Sequence, residues 1–272
     1  MGFVPSRGPC AFWLTLTWTV PFSKLRSNHH IFRIKAGHMR VVEVSDWRAF
    51  KDRLSDFSSL SAARRRQFIF RGQSDASWKL IPTIDREYRI RKAAERNEQA
   101  AELVRRFKHE CAGLGLSLPT AAVDDTAWEL IGRHHGLPTR VLDWTRSPYF
   151  AAFFAFDAPF KKRAKPVSIF SFDRDEFLRH PAPEAEIIDE VDLVNTEVRA
   201  TEQRSVFVRV NAAQPLEDIF ANGLIQFTIP PNQWRVALND LDEMGINARQ
   251  LFRDLDGVAR LVKTRQMIED TL

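Results

Sequence analysis

The chain has 272 residues, 44% of them hydrophobic and 28% charged, the composition of an ordinary globular protein with enough length for one large domain or two small ones. Its two cysteines, Cys10 and Cys111, are too few and too far apart for a disulfide framework or a zinc ribbon, and a reducing cytoplasm is the expected compartment. The formal net charge of +5 equals the sum of Arg7, Lys24, Arg26, Arg33 and Lys35, all within residues 1–38, which hold no Asp or Glu. The remainder is formally neutral, so composition does not indicate nucleic acid as a partner; a basic surface there would have to come from local clustering.

Residues 1–38 differ in character from the rest of the chain. Their apolar run at 10–22 is shorter than the roughly 20 residues of a membrane span, and no membrane association is expected. We expect 1–38 to be a misassigned start or a loosely ordered extension, and 39–272 to be the folded domain. Residues 40–44 read as a strand and 46–57 as a helix, capped by Ser45, with Trp47, Phe50 and Leu54 on one face. After the basic link at Arg64, Arg65 and Arg66, residues 67–71 alternate as a strand that ends on Arg71 before a flexible Gly72. A charged helix is expected over about 86–111, with Leu103, Val104 and Phe107 on its core side. Another helix starts at Asp124 or Asp125 and runs into His134 and His135.

The densest chemistry lies at 134–156, HHGLPTRVLDWTRSPYFAAFFAF. Pro138 pushes Leu137 out of helical geometry. Ser147 before Pro148 reads as an N-cap with Pro in the first helical position, and the helix beyond it is apolar on every side, hence buried. Its first N–H groups are a candidate anchor for an anion. Strands are expected at 167–172, 187–188, 191–194, up to 210 with Val206, Val208 and Val210 on one side, and at 224–229. Two helices, about 236–244 and 248–263, close the chain. Because strands and helices mix without a regular rhythm, the expected fold is α+β: a single mixed domain with a central, mainly antiparallel sheet and packed helices.

No glycine-rich phosphate loop, HExxH or paired-cysteine motif is present, so the expected site is metal-free. Arg71 is suited to fork onto a phosphate or a carboxylate; a structural ion pair with an acidic partner such as Asp143 is the competing assignment. FIFRGQSDASWKLIPTIDR at 68–86, the 134–156 stretch and GINARQLFRDLDGVARLV at 245–262 together resemble the FRG domain, a bacterial module named for its Phe/Tyr-Arg-Gly signature, over residues 47–262. The order Phe70-Arg71-Gly72, then Thr145-Arg146-Ser147 with its apolar helix, then Glu202-Gln203 is similar to the Arg, Ser-Thr-Ser and Glu elements of mono-ADP-ribosyltransferases, although the middle element reads Thr-Arg-Ser.

That similarity implies NAD as a substrate. Arg71 would hold its pyrophosphate and Thr145 or Ser147 would position its ribose, with Gly72 and His134 also among the cofactor-binding residues. Trp144 or Phe150 would stack on nicotinamide. Glu202 or Gln203 would steady the cationic sugar or orient the acceptor, and His135 would bind a ribose or activate the acceptor. On this reading the protein is an NAD-using transferase acting as a toxin or anti-phage effector, with a nucleotide ligand and a macromolecular acceptor. The alternative is a non-catalytic ligand-binding or interaction module, in which Arg71, His134, His135 and Asp143 form a buried polar network.

Overall fold

The computed structural model describes residues 39–58, 60–114, 124–157, 164–189 and 205–270. The expectations for 1–38, for the strand at 191–194 and for Glu202 and Gln203 lie outside the described residues.

The strands are β1 (Arg40–Glu43), β2 (Phe68–Gln73), β3 (Val141–Thr145), β4 (Val167–Asp173), β5 (Ala185–Ile188), β6 (Ser205–Val210) and β7 (Leu224–Ile229). They form one sheet in the order β1-β7-β4-β2-β3-β6-β5. The β1–β7 pair is parallel and the other pairs are antiparallel, so the expected α+β fold with a mainly antiparallel sheet holds. The helices are α1 (Trp47–Ser58), α2 (Ala62–Arg65), α3 (Thr83–Tyr88), α4 (Ala93–Ala112), α5 (Asp125–His134), α6 (Pro148–Phe156), α7 (Arg174–Arg179), α8 (Leu216–Ile219), α9 (Trp234–Glu243), α10 (Ala248–Phe252) and α11 (Leu255–Glu269).

Side-chain alternation divides the core into two layers. On one face, Phe57 of α1 meets Phe68 at 4.9 Å and Phe70 at 5.8 Å, while Trp47 stands edge-on to Phe156 of α6 at 6.1 Å. Trp47 also donates its indole N–H to Asp240 of α9 at 2.6 Å, giving its one polar atom a partner. On the other face, Ile69, Leu142, Trp144, Phe170 and Phe172 pack with Phe177 of α7 and Phe220. Leu130 and Ile131 of α5 sit with Val141 and Phe207 over the β3–β6 edge.

Several boundaries depart from the sequence reading for identifiable reasons. Asp46, rather than Ser45, caps α1, accepting from the Ala49 N–H at 2.8 Å. The long charged helix is two helices: α3 ends where Arg89 takes a left-handed φ of 51°, and α4 starts after it. The last helix is likewise divided, with Arg253 at φ 52° and Asp254 capping α11 through the Gly257 N–H at 2.7 Å. Arg71 does not end its strand, because β2 continues through Gly72 to Gln73, paired with β4 throughout.

Among the described residues, no helix is long and apolar enough to cross a membrane.

Candidate functional site

The FRG tripeptide sits where two strands part. β2 pairs with β4 along its whole length, but with β3 only at Phe70 and Thr145. Beyond that position lies a cleft of about 320 Å³, lined by Arg71 and Gly72 from β2, Asp143 and Thr145 from β3 and Ser205 from β6. Its walls come from Arg133 and His134 at the end of α5, Ala151 and Phe154 of α6, and Phe252 of α10. Phe252 meets Phe154 edge-on at 6.2 Å, so the C-terminal helices close one side.

Gly72 explains the close approach of α6. A Cβ at Gly72 would overlap the Ala151 carbonyl oxygen and lie 2.7 Å from the Ala155 nitrogen. The glycine is needed here because a helix backbone lies directly on the strand, not because the chain must bend.

Arg71 turns into the opening between β2 and β3. Its Nη1 donates to the Asp143 backbone carbonyl at 2.6 Å, an acceptor left unpaired where the strands separate, and lies 3.8 Å from the Asp143 carboxylate. Arg133 holds that carboxylate more tightly, Nη2 to Oδ2 at 2.5 Å. The Arg71 and Arg133 side chains are only 13% and 20% exposed, whereas Asp143 is 38% exposed toward the cleft. The Nε atoms of both arginines are buried without a hydrogen-bond partner among the described residues.

The electrostatics are unbalanced in one direction. Burial pushes the Arg71 guanidinium down to about 10; Asp143 opposes this, and Arg133 and Arg86 add to it by repulsion. Arg86, on α3, is lowered by the same causes, burial first and then Arg133. Burial acts to raise the Asp143 carboxyl, but Arg133, Arg71 and His134 more than offset it and hold the group below the usual carboxylate range. Two guanidiniums, Arg71 and Arg133, therefore share one carboxylate. A dianion entering the cleft would relieve their repulsion and give the unpartnered Nε–H groups acceptors.

Of the residues singled out in the sequence, the cleft brings together Arg71, Gly72, His134, Trp144 and Thr145. Trp144 contributes little more than its backbone, since it is 2% exposed and its ring packs on Phe172 at 5.4 Å across the sheet. It belongs to the core, and the geometry offers no stacking face to a ligand. Ser147 is outside the lining: its hydroxyl accepts from the Phe150 N–H at 3.3 Å, and its own N–H donates to Thr145 Oγ1 at 3.2 Å. Those caps occupy backbone donors of the kind expected to anchor an anion. His135 is an exposed C-cap residue of α5 and is likewise outside the lining.

Sequence reasoning missed Arg133, Arg86 and the anchor of α5. Arg133 was detectable in principle: it falls three positions after the buried Leu130, so it shares the inward side of the helix. The anchor is Glu129, which is 2% exposed and bridges Arg140 at 3.2 Å and Arg209 of β6 at 3.0 Å. Arg209 reaches on to Glu186 at 2.6 Å and to the Thr126 hydroxyl at 2.9 Å. This network fixes α5 on the sheet edge and thereby sets Arg133 and His134 over Asp143.

Comparison with protein families returned a match to the FRG domain over residues 66–164. The matched segment holds every cleft-lining residue named above except Ser205 and Phe252, and it stops short of the 245–262 segment. No curated protein and no solved structure matched the chain. The chain carries an FRG domain, and the candidate site is built almost entirely within it.

Proposed function

We propose that this FRG-domain protein binds NAD in the cleft and transfers its ADP-ribosyl group to an acceptor. The observation that carries the reading is the pair of guanidiniums at the strand opening, Arg71 and Arg133, sharing the one carboxylate of Asp143, with both Nε donors buried and unpartnered among the described residues. A pyrophosphate matches that pair in charge and in its bidentate geometry.

The sheet order supports the same reading. β2 with Arg71, β3 with Thr145 and β6 are successive neighbours. Ser205, the first residue of β6, lines the cleft and comes shortly after Glu202 and Gln203 in sequence. Arg71 and Arg133 would hold the pyrophosphate, while His134 and Thr145 stand beside them for the ribose. Glu202 or Gln203 would steady the positive charge that develops on the sugar. In the step itself the bond from C1′ to the nicotinamide nitrogen breaks, and nicotinamide leaves with the electron pair. A lone pair of the acceptor forms the new bond to C1′, and the acceptor's proton passes to solvent. Transfer onto a macromolecule is chemistry suited to a toxin or an anti-phage effector.

The test is nicotinamide release from NAD by wild type, Arg71→Ala and Glu202→Ala. The reading requires release by wild type and its loss in both variants with circular dichroism unchanged. Binding of NAD without release would make the cleft a nucleotide-binding module, and neither binding nor release would overturn the proposal.

A further inference from the structure

The segment 86–92, between the body of α3 and the start of α4, reads Arg-Glu-Tyr-Arg-Ile-Arg-Lys. Arg86, Arg89, Arg91 and Lys92 are all exposed, and Tyr88 among them is 44% exposed. Lys92 pairs with Glu95 at 2.8 Å, while neither Arg89 nor Arg91 has an ion-pair partner among the described residues. Arg89 ends α3 in the left-handed region, φ 51°, and Tyr88 before it and Arg91 and Lys92 after it are exposed while Ile90 is half-buried.

The position of the segment is fixed relative to the cleft. Thr83 of α3 accepts the Thr139 N–H at 3.0 Å, and the Ile84 N–H donates to the Thr139 carbonyl at 3.2 Å, which pins α3 to the stretch leading into β3. Arg86, one turn further on, is close enough to Arg133 and Asp143 for their charges to act on it. Those hydrogen bonds tie the start of the basic segment to the stretch that enters β3, the strand whose Asp143 and Thr145 line the cleft.

We propose that residues 86–92 dock a single-stranded nucleic acid beside the cleft. Arginines alternating with an exposed aromatic ring provide both elements of such recognition, phosphate contacts and a flat face on which a base stacks. An acidic peptide would use the cations and leave the ring idle. Because the chain beyond residue 38 is formally neutral, this is a local feature and not part of a general polyanion-binding surface. Docking stands on this surface alone. Assigning the docked strand as the acceptor rests on the transferase reading: an oxygen or nitrogen of the strand then forms the bond to C1′ as nicotinamide leaves, and its proton passes to solvent.

The experiment is fluorescence anisotropy of short mixed-sequence DNA and RNA strands, with the full-length protein, at low and at physiological salt. The variants are Tyr88→Ala and the double substitution Arg89→Gly with Arg91→Glu; glycine suits the left-handed turn, so that variant keeps its fold. The double variant should bind about tenfold more weakly or worse, with a shallower salt dependence. Tyr88→Ala should weaken single strands about tenfold while changing duplex binding little. Binding unchanged in both variants would overturn the proposal, as would an acidic peptide of equal charge competing as well as the strand. Nicotinamide release from NAD, measured alongside, separates the two claims. Strand binding that depends on these residues without NAD turnover leaves docking standing and removes the transferase, and turnover with strand binding indifferent to them does the reverse.

Discussion

Arg71 serves two opposed demands. Without an anion its charge is costly, since burial and the neighbouring guanidiniums push it down to about 10; a bound dianion reverses that cost. Arg71→Met should therefore unfold no more easily than wild type, within about 1 kcal/mol, while losing NAD-induced stabilisation in a thermal melt. A thermal shift that persists in Arg71→Met would contradict this assignment. The same shift sets a pH dependence. Between about 10 and the higher ordinary arginine value the unfolded chain holds more protons at this site than the folded one, so stability of the unliganded protein gains with rising pH in that window. Anion affinity moves the opposite way and falls as pH climbs through about 10, because the bound state needs the charged guanidinium.

Asp143 behaves as the mirror image. Its carboxyl is held below 3.8 in the fold, so its contribution to stability is present above that value and is lost as pH falls through the lower folded value. Asp143→Asn should remove this acid dependence and cost about 1–2 kcal/mol, less than for a fully buried pair because the group opens onto the cleft. Denaturant titrations at several pH values check both statements. Gly72→Ala is a separate case with no charge involved. The methyl group would overlap the α6 backbone, and the cost should reach about 3 kcal/mol or more, read as a lower denaturation midpoint.

At the scale of elements, the site depends on α5 being held at a fixed depth. Glu129 bridges Arg140 and Arg209 from a position 2% exposed, and removing its charge takes the ion-pair partner from Arg140 and leaves Arg209 with Glu186. Glu129→Gln should cost about 3–5 kcal/mol and weaken NAD binding as well, although Glu129 touches nothing in the cleft. Full affinity in a destabilised Glu129→Gln protein would show that α5 does not set the site. This is also where the sequence was least legible. Strands such as 167–172 and 224–229 declare themselves by apolar alternation, and Ser147-Pro148 marks the start of α6 without ambiguity. The breaks at Arg89 and Arg253 carry no such mark, because arginine in a left-handed turn breaks the usual preference for glycine or asparagine there. Arg71 was found because strand alternation isolates it before a glycine. Arg133 and Glu129 were not, because their partners, Asp143, Arg140 and Arg209, lie outside α5 and become neighbours only when that helix packs on β3 and β6.

For the whole molecule, the sheet order places the Arg71 strand, the Thr145 strand and β6 side by side, with α5 and α6 as walls and the C-terminal helices closing over Phe154. A formally neutral domain thus places Arg71 and Arg133 at one opening. The central claim is that this opening binds a pyrophosphate through Arg71 and Arg133. Isothermal titration of NAD into wild type, Arg71→Met and Arg133→Met tests it most directly. Wild type should bind saturably and more weakly as salt rises, and each variant should lose at least tenfold in affinity, the scale of one charge-assisted hydrogen bond. Equal affinity for all three proteins, or no heat with wild type, would contradict it.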